Sequence, residues 1–132
     1  MQRLVSTLMI ALLLSACSII EKEEKKMSMN DTTRYYEYAL RWSDYDAANA
    51  MRNPEATDPS PDPASLKRFR VTSYTVVNSL MSEDGKVLTQ VVDIHYYNED
   101  NMLERQLRDR QKWVYDEEAK IWSLDGPLPT FQ

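Results

Sequence analysis

Cysteine and histidine are nearly missing from this chain: 132 residues contain one of each, Cys17 and His95. No disulfide can form within it, and zinc sites built from several Cys or His ligands are excluded. No metal and no cofactor are therefore expected. A basic stripe is also lacking, because 16 Lys and Arg stand against 21 Asp and Glu, giving a net charge of −5. That balance argues against nucleic-acid binding, whose affinity rests on neutralising phosphates. It argues equally against docking of the folded surface onto anionic lipid. Finally, there is no apolar run of the roughly 20 residues that a bilayer-spanning helix requires.

A shorter apolar run does exist. Arg3 precedes the stretch Leu4 to Leu14, and small residues then lead to Cys17. A positive start, an apolar segment of about 7–15 residues and small residues before a cleavage point describe an export signal. The tetrapeptide Leu14-Ser15-Ala16-Cys17 resembles the lipobox of bacterial lipoproteins. The resemblance implies cleavage after residue 16 and a diacylglyceryl thioether on Cys17, with further acylation (palmitate-type chains) of the new N-terminus. The alternative is an ordinary signal peptide in which Cys17 is incidental. One acyl chain binds a membrane marginally, while two or more hold a protein stably. In such lipoproteins an Asp after the cysteine favours the inner membrane. Ser18 stands there, so the resemblance implies the periplasmic face of the outer membrane. Removal of residues 1–16 takes away Arg3, moves the formal charge from −5 to −6 and leaves no free thiol for a cysteine nucleophile. The remaining 116 residues suffice for one domain that buries about 65% of its unfolded surface.

Past Cys17 the run Glu21-Lys22-Glu23-Glu24-Lys25-Lys26 has mixed charge and no apolar period, so residues 17–31 read as a solvated tether. The domain proper is expected over residues 32–132. From Thr33 to about Met51 the spacing predicts a helix capped by Asp31 or Thr32 and ended at Asn53-Pro54. Arg34, Glu37, Arg41, Asp44, Ala48 and Arg52 mark its polar face. Tyr35, Tyr38, Ala39, Trp42, Asp46 and Ala50 mark the face turned to the core. Ser43-Asp44 either lies within this helix or breaks it, with Asp44 capping a second one. Residues 53–65 carry Pro54, Pro59, Pro61 and Pro63 and read as an extended surface loop.

Four β-rich runs follow: Leu66 to Met81, Val87 to Tyr97, Leu103 to Tyr115, and Ile121 to Leu124. The connections at 83–86, 98–101 and 116–119 are rich in Asp, Asn, Glu and Gly, and such short links join antiparallel neighbours. Residues 101–112 are also compatible with a helix, but polar side chains at every second position, Glu104 to Lys112, fit a solvated sheet face. The fold expected is α+β, with a helix packed on a four-stranded antiparallel meander. This order, with the stretch Trp42-Ser43-Asp44-Tyr45-Asp46-Ala47-Ala48 at the helix junction, resembles the cystatin-like roll that includes nuclear-transport-factor-like proteins. In that group the cone between helix and sheet serves as a small-molecule pocket or as a packing surface for partners, and fold alone does not choose.

Candidate residues divide accordingly. Asp46, on the presumed inner helix face, is either the acid or base of an isomerase- or dehydratase-like pocket or a structural hydrogen-bond acceptor. Asp93 and His95 share one strand face as a surface pair or, less economically, a dyad. Tyr36 and Tyr45 flank the helical stripe and are the expected exposed aromatic contacts for a protein partner. The tail residue Phe131 is expected to tuck against the domain edge. The leading expectation is a lipid-anchored, non-catalytic domain that binds a protein partner or a lipid-like ligand, and the alternative is a pocket enzyme using Asp46.

Overall fold

The structure, a computed structural model, describes the backbone of residues 2–132 and the side chains of residues 16–132. The apolar run Leu4–Leu14 and the side chains of Leu14 and Ser15 lie outside the described side chains. Helix α1 spans Gln2–Arg41, α2 Tyr45–Ala50 and α3 Pro63–Leu66. They precede β1 Phe69–Met81, β2 Val87–Asn98, β3 Glu104–Asp116 and β4 Ile121–Leu124. The sheet is antiparallel throughout, in the order β1-β2-β3-β4. The expected meander is thus present, and its strand limits fall within a few residues of those read from the alternation.

The turns account for that agreement. Between β1 and β2, Gly85 adopts φ +70, and the Asp84 carboxylate accepts from the Lys86 amide at 3.0 Å. A left-handed conformation there favours a residue without a Cβ. Between β2 and β3, Asn98 Oδ1 accepts from Asp100 N at 2.9 Å. Asp116 Oδ1 accepts from the amides of Glu118 and Ala119 before β4. Each is a short side chain bonding backbone just ahead of it, which stabilises a turn.

The helical region departs from expectation in its start and in its buried face, and it decides the alternative left open at Ser43-Asp44. First, the helix does not begin near Thr33: residues 18–30 continue α1 instead of forming an extended tether. The tether's last turns dock. Met29 is buried, the Trp122 indole donates to Lys25 O at 3.1 Å, and Lys25 Nζ lies 3.7 Å from Glu117. Second, of the two readings at Ser43-Asp44, the break is the one found. Ser43 N donates to Leu40 O and Asp44 N to Ala39 O, with Ser43 at φ 59, the pattern of a Schellman stop. Asp44 then caps α2, its side chain accepting from Ala47 N at 3.1 Å. Third, the buried face of α1 is Met29, Tyr36, Ala39 and Leu40, while Tyr35, Tyr38 and Trp42 are exposed. The expected stripe assumed continuity through Asp46 and Ala50. Once the helix stops at Ser43, those two positions no longer fix its rotation. Ala48, placed on the polar face, is buried from α2. The proline-rich loop also contains a helical turn, since Asp62 caps α3 and Pro63 occupies a first-turn position where its missing N–H costs nothing.

The core lies between α1, α2 and the helix-facing side of the sheet. Leu88, Val92, Ile94 and Tyr96 of β2, the alternation assigned to the core, are all buried. Trp113 meets Tyr36 edge-on at 5.2 Å between centroids. The tail packs Phe131 onto Tyr96, Phe69 and Tyr45 at 4.5, 5.4 and 6.2 Å. Residues 51–53 close the outer edge of β4, where Asn53 N donates to Leu124 O and Leu124 N to Met51 O.

Candidate functional site

Asp46 does not line a cone. It sits in the first turn of α2, its side chain 72% exposed, with Lys67 Nζ at 3.5 Å. The break at Ser43 turns it outward, and the acid/base role expected for it has no geometric basis. Asp93 and His95 share the outer sheet face but do not form a dyad. Arg108 donates from Nε and one terminal nitrogen to Asp93 at 2.8 and 2.9 Å. His95 Nδ1 instead lies 3.9 Å from Glu104. The Arg108 hydrogen bond is the main cause holding the Asp93 carboxyl below its ordinary range.

Tyr36 and Tyr45, the expected exposed aromatics, are both fully buried. Tyr45 donates its hydroxyl to Phe69 O at 2.8 Å, which ties α2 to the start of β1. The Tyr36 hydroxyl finds no partner among the described residues. The roles of the aromatics are exchanged: Ala39 of the assigned core stripe is buried, but Tyr35, Tyr38 and Trp42 of that stripe form the exposed patch. Tyr38 and Trp42 pack together at 5.9 Å between centroids with their planes tilted by 43°, 59% and 72% exposed, with Tyr35 beside them at 55%.

This pair borders an open groove of about 560 Å³ between α1 and β1, which also involves Arg34, Glu37, Arg41 and Val71. The groove continues past Trp42 toward Lys67, Arg70 and Tyr97. Its cations are mostly engaged: Arg41 lies 3.7 Å from Glu37, and Arg70 lies 2.8 Å from Glu99. Arg34 has no ion-pair partner among the described residues, which leaves one free positive charge beside two exposed rings. Aromatic rings of this kind with a neighbouring Arg are the residue types that dominate protein contact energies.

A second, buried polar group was missed by the sequence reading. Gln111 donates from Nε2 to the Tyr74 hydroxyl and to Asp109 Oδ2, both at 2.9 Å, and its Oε1 accepts from the Trp113 indole at 3.1 Å. Gln90, opposite Gln111 in register, leaves its Oε1 unpaired among the described residues. The available signal was alternation, because Asp109 and Gln111 share their strand face with Leu107 and Trp113. Asp109 and Gln111 line neither the Trp42 groove nor the recess between α1 and the end of β1, and their bonds to Tyr74 and Trp113 make the cluster part of the packing. Burial, partly opposed by the Gln111 bond, pushes the Asp109 carboxyl above its ordinary range. The native state therefore holds this proton more tightly than the unfolded chain does. The associated stability is complete below the ordinary Asp value, about 3.9, and is lost as pH rises to the raised native value. Asp109→Asn keeps an acceptor for Gln111 and removes that loss. Thermal melts should place the variant about a few degrees above wild type at neutral pH, with the two curves converging near pH 3.

No group of His, Cys, Asp and Glu able to hold a metal occurs among the described residues. Cys17, the expected lipidation site, is exposed on α1. No helix among the described residues is long and apolar enough to cross a membrane.

The sequence matches no protein-family model, and no curated protein matches it. A crystal structure from Exiguobacterium sibiricum 255-15, described as a calcium/calmodulin-dependent kinase II association domain, superimposes with a TM-score of 0.57. The alignment covers 81% of this chain and 95% of that one at 9% identity. At that identity the likeness shows the fold alone: α+β, a helix packed on a four-stranded antiparallel sheet, as the element order suggested.

Proposed function

We infer that this chain is a lipoprotein anchored to the periplasmic face of the outer membrane through Cys17, and that its α+β roll is a non-catalytic interaction domain. The observation that carries the second half is the division of its aromatics. Tyr36 and Trp113 fill the cone where a pocket enzyme needs space, while Tyr38 and Trp42 stand paired and exposed on the opposite side of α1. The neighbour described as an association domain is in keeping with such a role. The partner that suits this groove is a protein segment offering an apolar side chain to Trp42 and a carboxylate to Arg34.

The anchor reading rests on the lipobox and is compatible with the shape of α1. From Cys17 to Lys25, the first docked position, eight helical residues rise about 12 Å. This rigid spacer would hold the domain clear of the lipid headgroups, with the exposed Ile19 and Ile20 nearest the membrane.

Crosslinking of the native lipidated protein in its own membrane, followed by capture, tests the interaction surface. Replacing Tyr38 and Trp42 together by alanine should reduce capture of the partner at least about tenfold, the range of a hot-spot loss, without lowering the melting temperature. Asp46→Asn should leave capture unchanged. Undiminished capture by the double variant would remove this surface from the reading.

A further inference from the structure

β1 is the outermost strand of the sheet, and its second half is bare. Every residue from Thr75 to Met81 is exposed, with Val76 at 45%, Val77 at 47% and Leu80 at 69%. The stretch from Val71 to Ser82 contains no charged residue, no proline and no glycine. Edge strands in soluble proteins are normally blunted by charge, proline, shortness or a covering element, because an unpaired ladder of N–H and C=O groups templates another strand. β1 is 13 residues long, and α1 approaches it at both ends: Val71 borders the Trp42 groove, and Ser79 and Met81 line an apolar recess with Lys22, Lys26 and Met29, while Thr75 to Asn78 line neither. Bulges between Val71 and Ser73 and between Val76 and Asn78 curl the strand, but the segments 73–76 and 78–81 stay in regular register with β2.

The other edges of the sheet differ. Residues 51–53 close β4. The part of β3 extending beyond β4 carries exposed Glu104, Arg105, Arg108, Arg110 and Lys112, a dense charge guard. β1 alone among these edges is both long and uncharged.

Its flanks are charged, and with opposite signs. Lys67, Arg68 and Arg70 precede the strand, whereas Glu83 and Asp84 follow it. Two such strands placed antiparallel about a two-fold axis set the basic start of each beside the acidic end of the other. Parallel placement would stack like charges. The three cations also contact carboxylates of their own chain, at 3.5 Å to Asp46, 3.8 Å to Asp100 and 2.8 Å to Glu99. Their attraction across the axis would therefore be shared. Lys86 is engaged by Glu117 at 3.2 Å, and Glu83 has no ion-pair partner among the described residues.

We propose that the β1 edge binds a second copy of this chain, antiparallel, joining two four-stranded sheets into one continuous sheet. Backbone groups of residues 73–81 supply the hydrogen bonds, and Val76, Val77 and Leu80 become covered by their counterparts. The arrangement is isologous, so one uncharged strand meets itself without like-charge repulsion. It does not use the lipid anchor, and it meets the groove only at its far end, Lys67 and Arg70, not at Tyr38 or Trp42, so its failure would leave both other readings standing.

Sedimentation of the full-length chain in detergent, with the protein mass resolved from the micelle, tests it. Wild type should be dimeric at micromolar concentration. The exposed double substitution Val77→Lys with Leu80→Lys should raise the dissociation constant on the order of tenfold or more, with circular dichroism unchanged. Should that variant fail to fold, a charge exchange gives an independent readout. Arg68→Glu and Glu83→Arg should each weaken the dimer about threefold, and their combination should restore it. A monomeric wild type would overturn the proposal, including one whose β1 pairs with a strand of another protein. So would a dimer of unchanged affinity in the lysine variant, or a charge exchange that fails to restore it.

Discussion

Trp113→Ala is expected to cost about 3–5 kcal/mol, enough to bring a domain of this size close to its unfolding midpoint at room temperature. Trp113 is fully buried, and its ring holds Tyr36 edge-on, fixing α1 over the sheet. Its indole N–H is also the donor to Gln111 Oε1. Truncation therefore opens a large cavity and leaves that oxygen unpaired, beside a region where Gln90 and Tyr36 already lack partners. An unsatisfied buried polar atom adds roughly 1–3 kcal/mol to the cavity cost. Urea unfolding followed by circular dichroism measures the loss. Trp42→Ala serves as the contrast: with the ring 72% exposed, it should shift stability by less than about 0.5 kcal/mol. Equal losses in the two variants would contradict the assignment of core and surface.

Cys17→Ala is expected to move the chain out of the membrane fraction almost completely. On the proposed anchor, two or three acyl chains would dominate membrane affinity, since each buried methylene contributes about 0.8 kcal/mol, and the acidic folded surface offers little to replace them. The processed domain should stay folded, because Cys17 lies eight residues ahead of the first docked position of α1. Fractionation with immunodetection and a melt of the soluble product would check both halves. Retention of the variant in the membrane at wild-type level would mean that something other than this sulfur holds it there.

The sheet was legible in the sequence and the helix face was not, for a physical reason. A strand's period of two is fixed by the pleat, so the apolar set Leu88, Val92, Ile94 and Tyr96 could point only one way, and the Asp- and Asn-rich turns fixed the connections. A helix is rotationally ambiguous when aromatics lie all around it. Tyr35, Tyr36, Tyr38 and Trp42 offer several plausible stripes, and the choice depended on whether the helix continued past Ser43. It stops there, and the stripe shifts to Met29, Tyr36, Ala39 and Leu40. The same shift turns Asp46 outward and exchanges the roles of Tyr36 and Trp42. Docking of residues 25–30 was hidden for another reason: a charged segment gains its order from distant partners, here Trp122 and Glu117, which local composition does not reveal. The Asp109–Gln111 cluster went unnoticed because polar residues on an inner strand face look like solvent-facing ones until the opposite side is known to be covered.

The N-terminal peptide of the chain recovered from outer membranes, sequenced by tandem mass spectrometry, bears most directly on how this domain is held and where it works. The expected spectrum begins at Cys17 and carries the added mass of a diacylglyceryl group on the sulfur and an acyl chain on the amine. A peptide that still begins at Met1 with an unmodified thiol at position 17 would contradict the anchor, and with it the placement of the interaction domain at a membrane face.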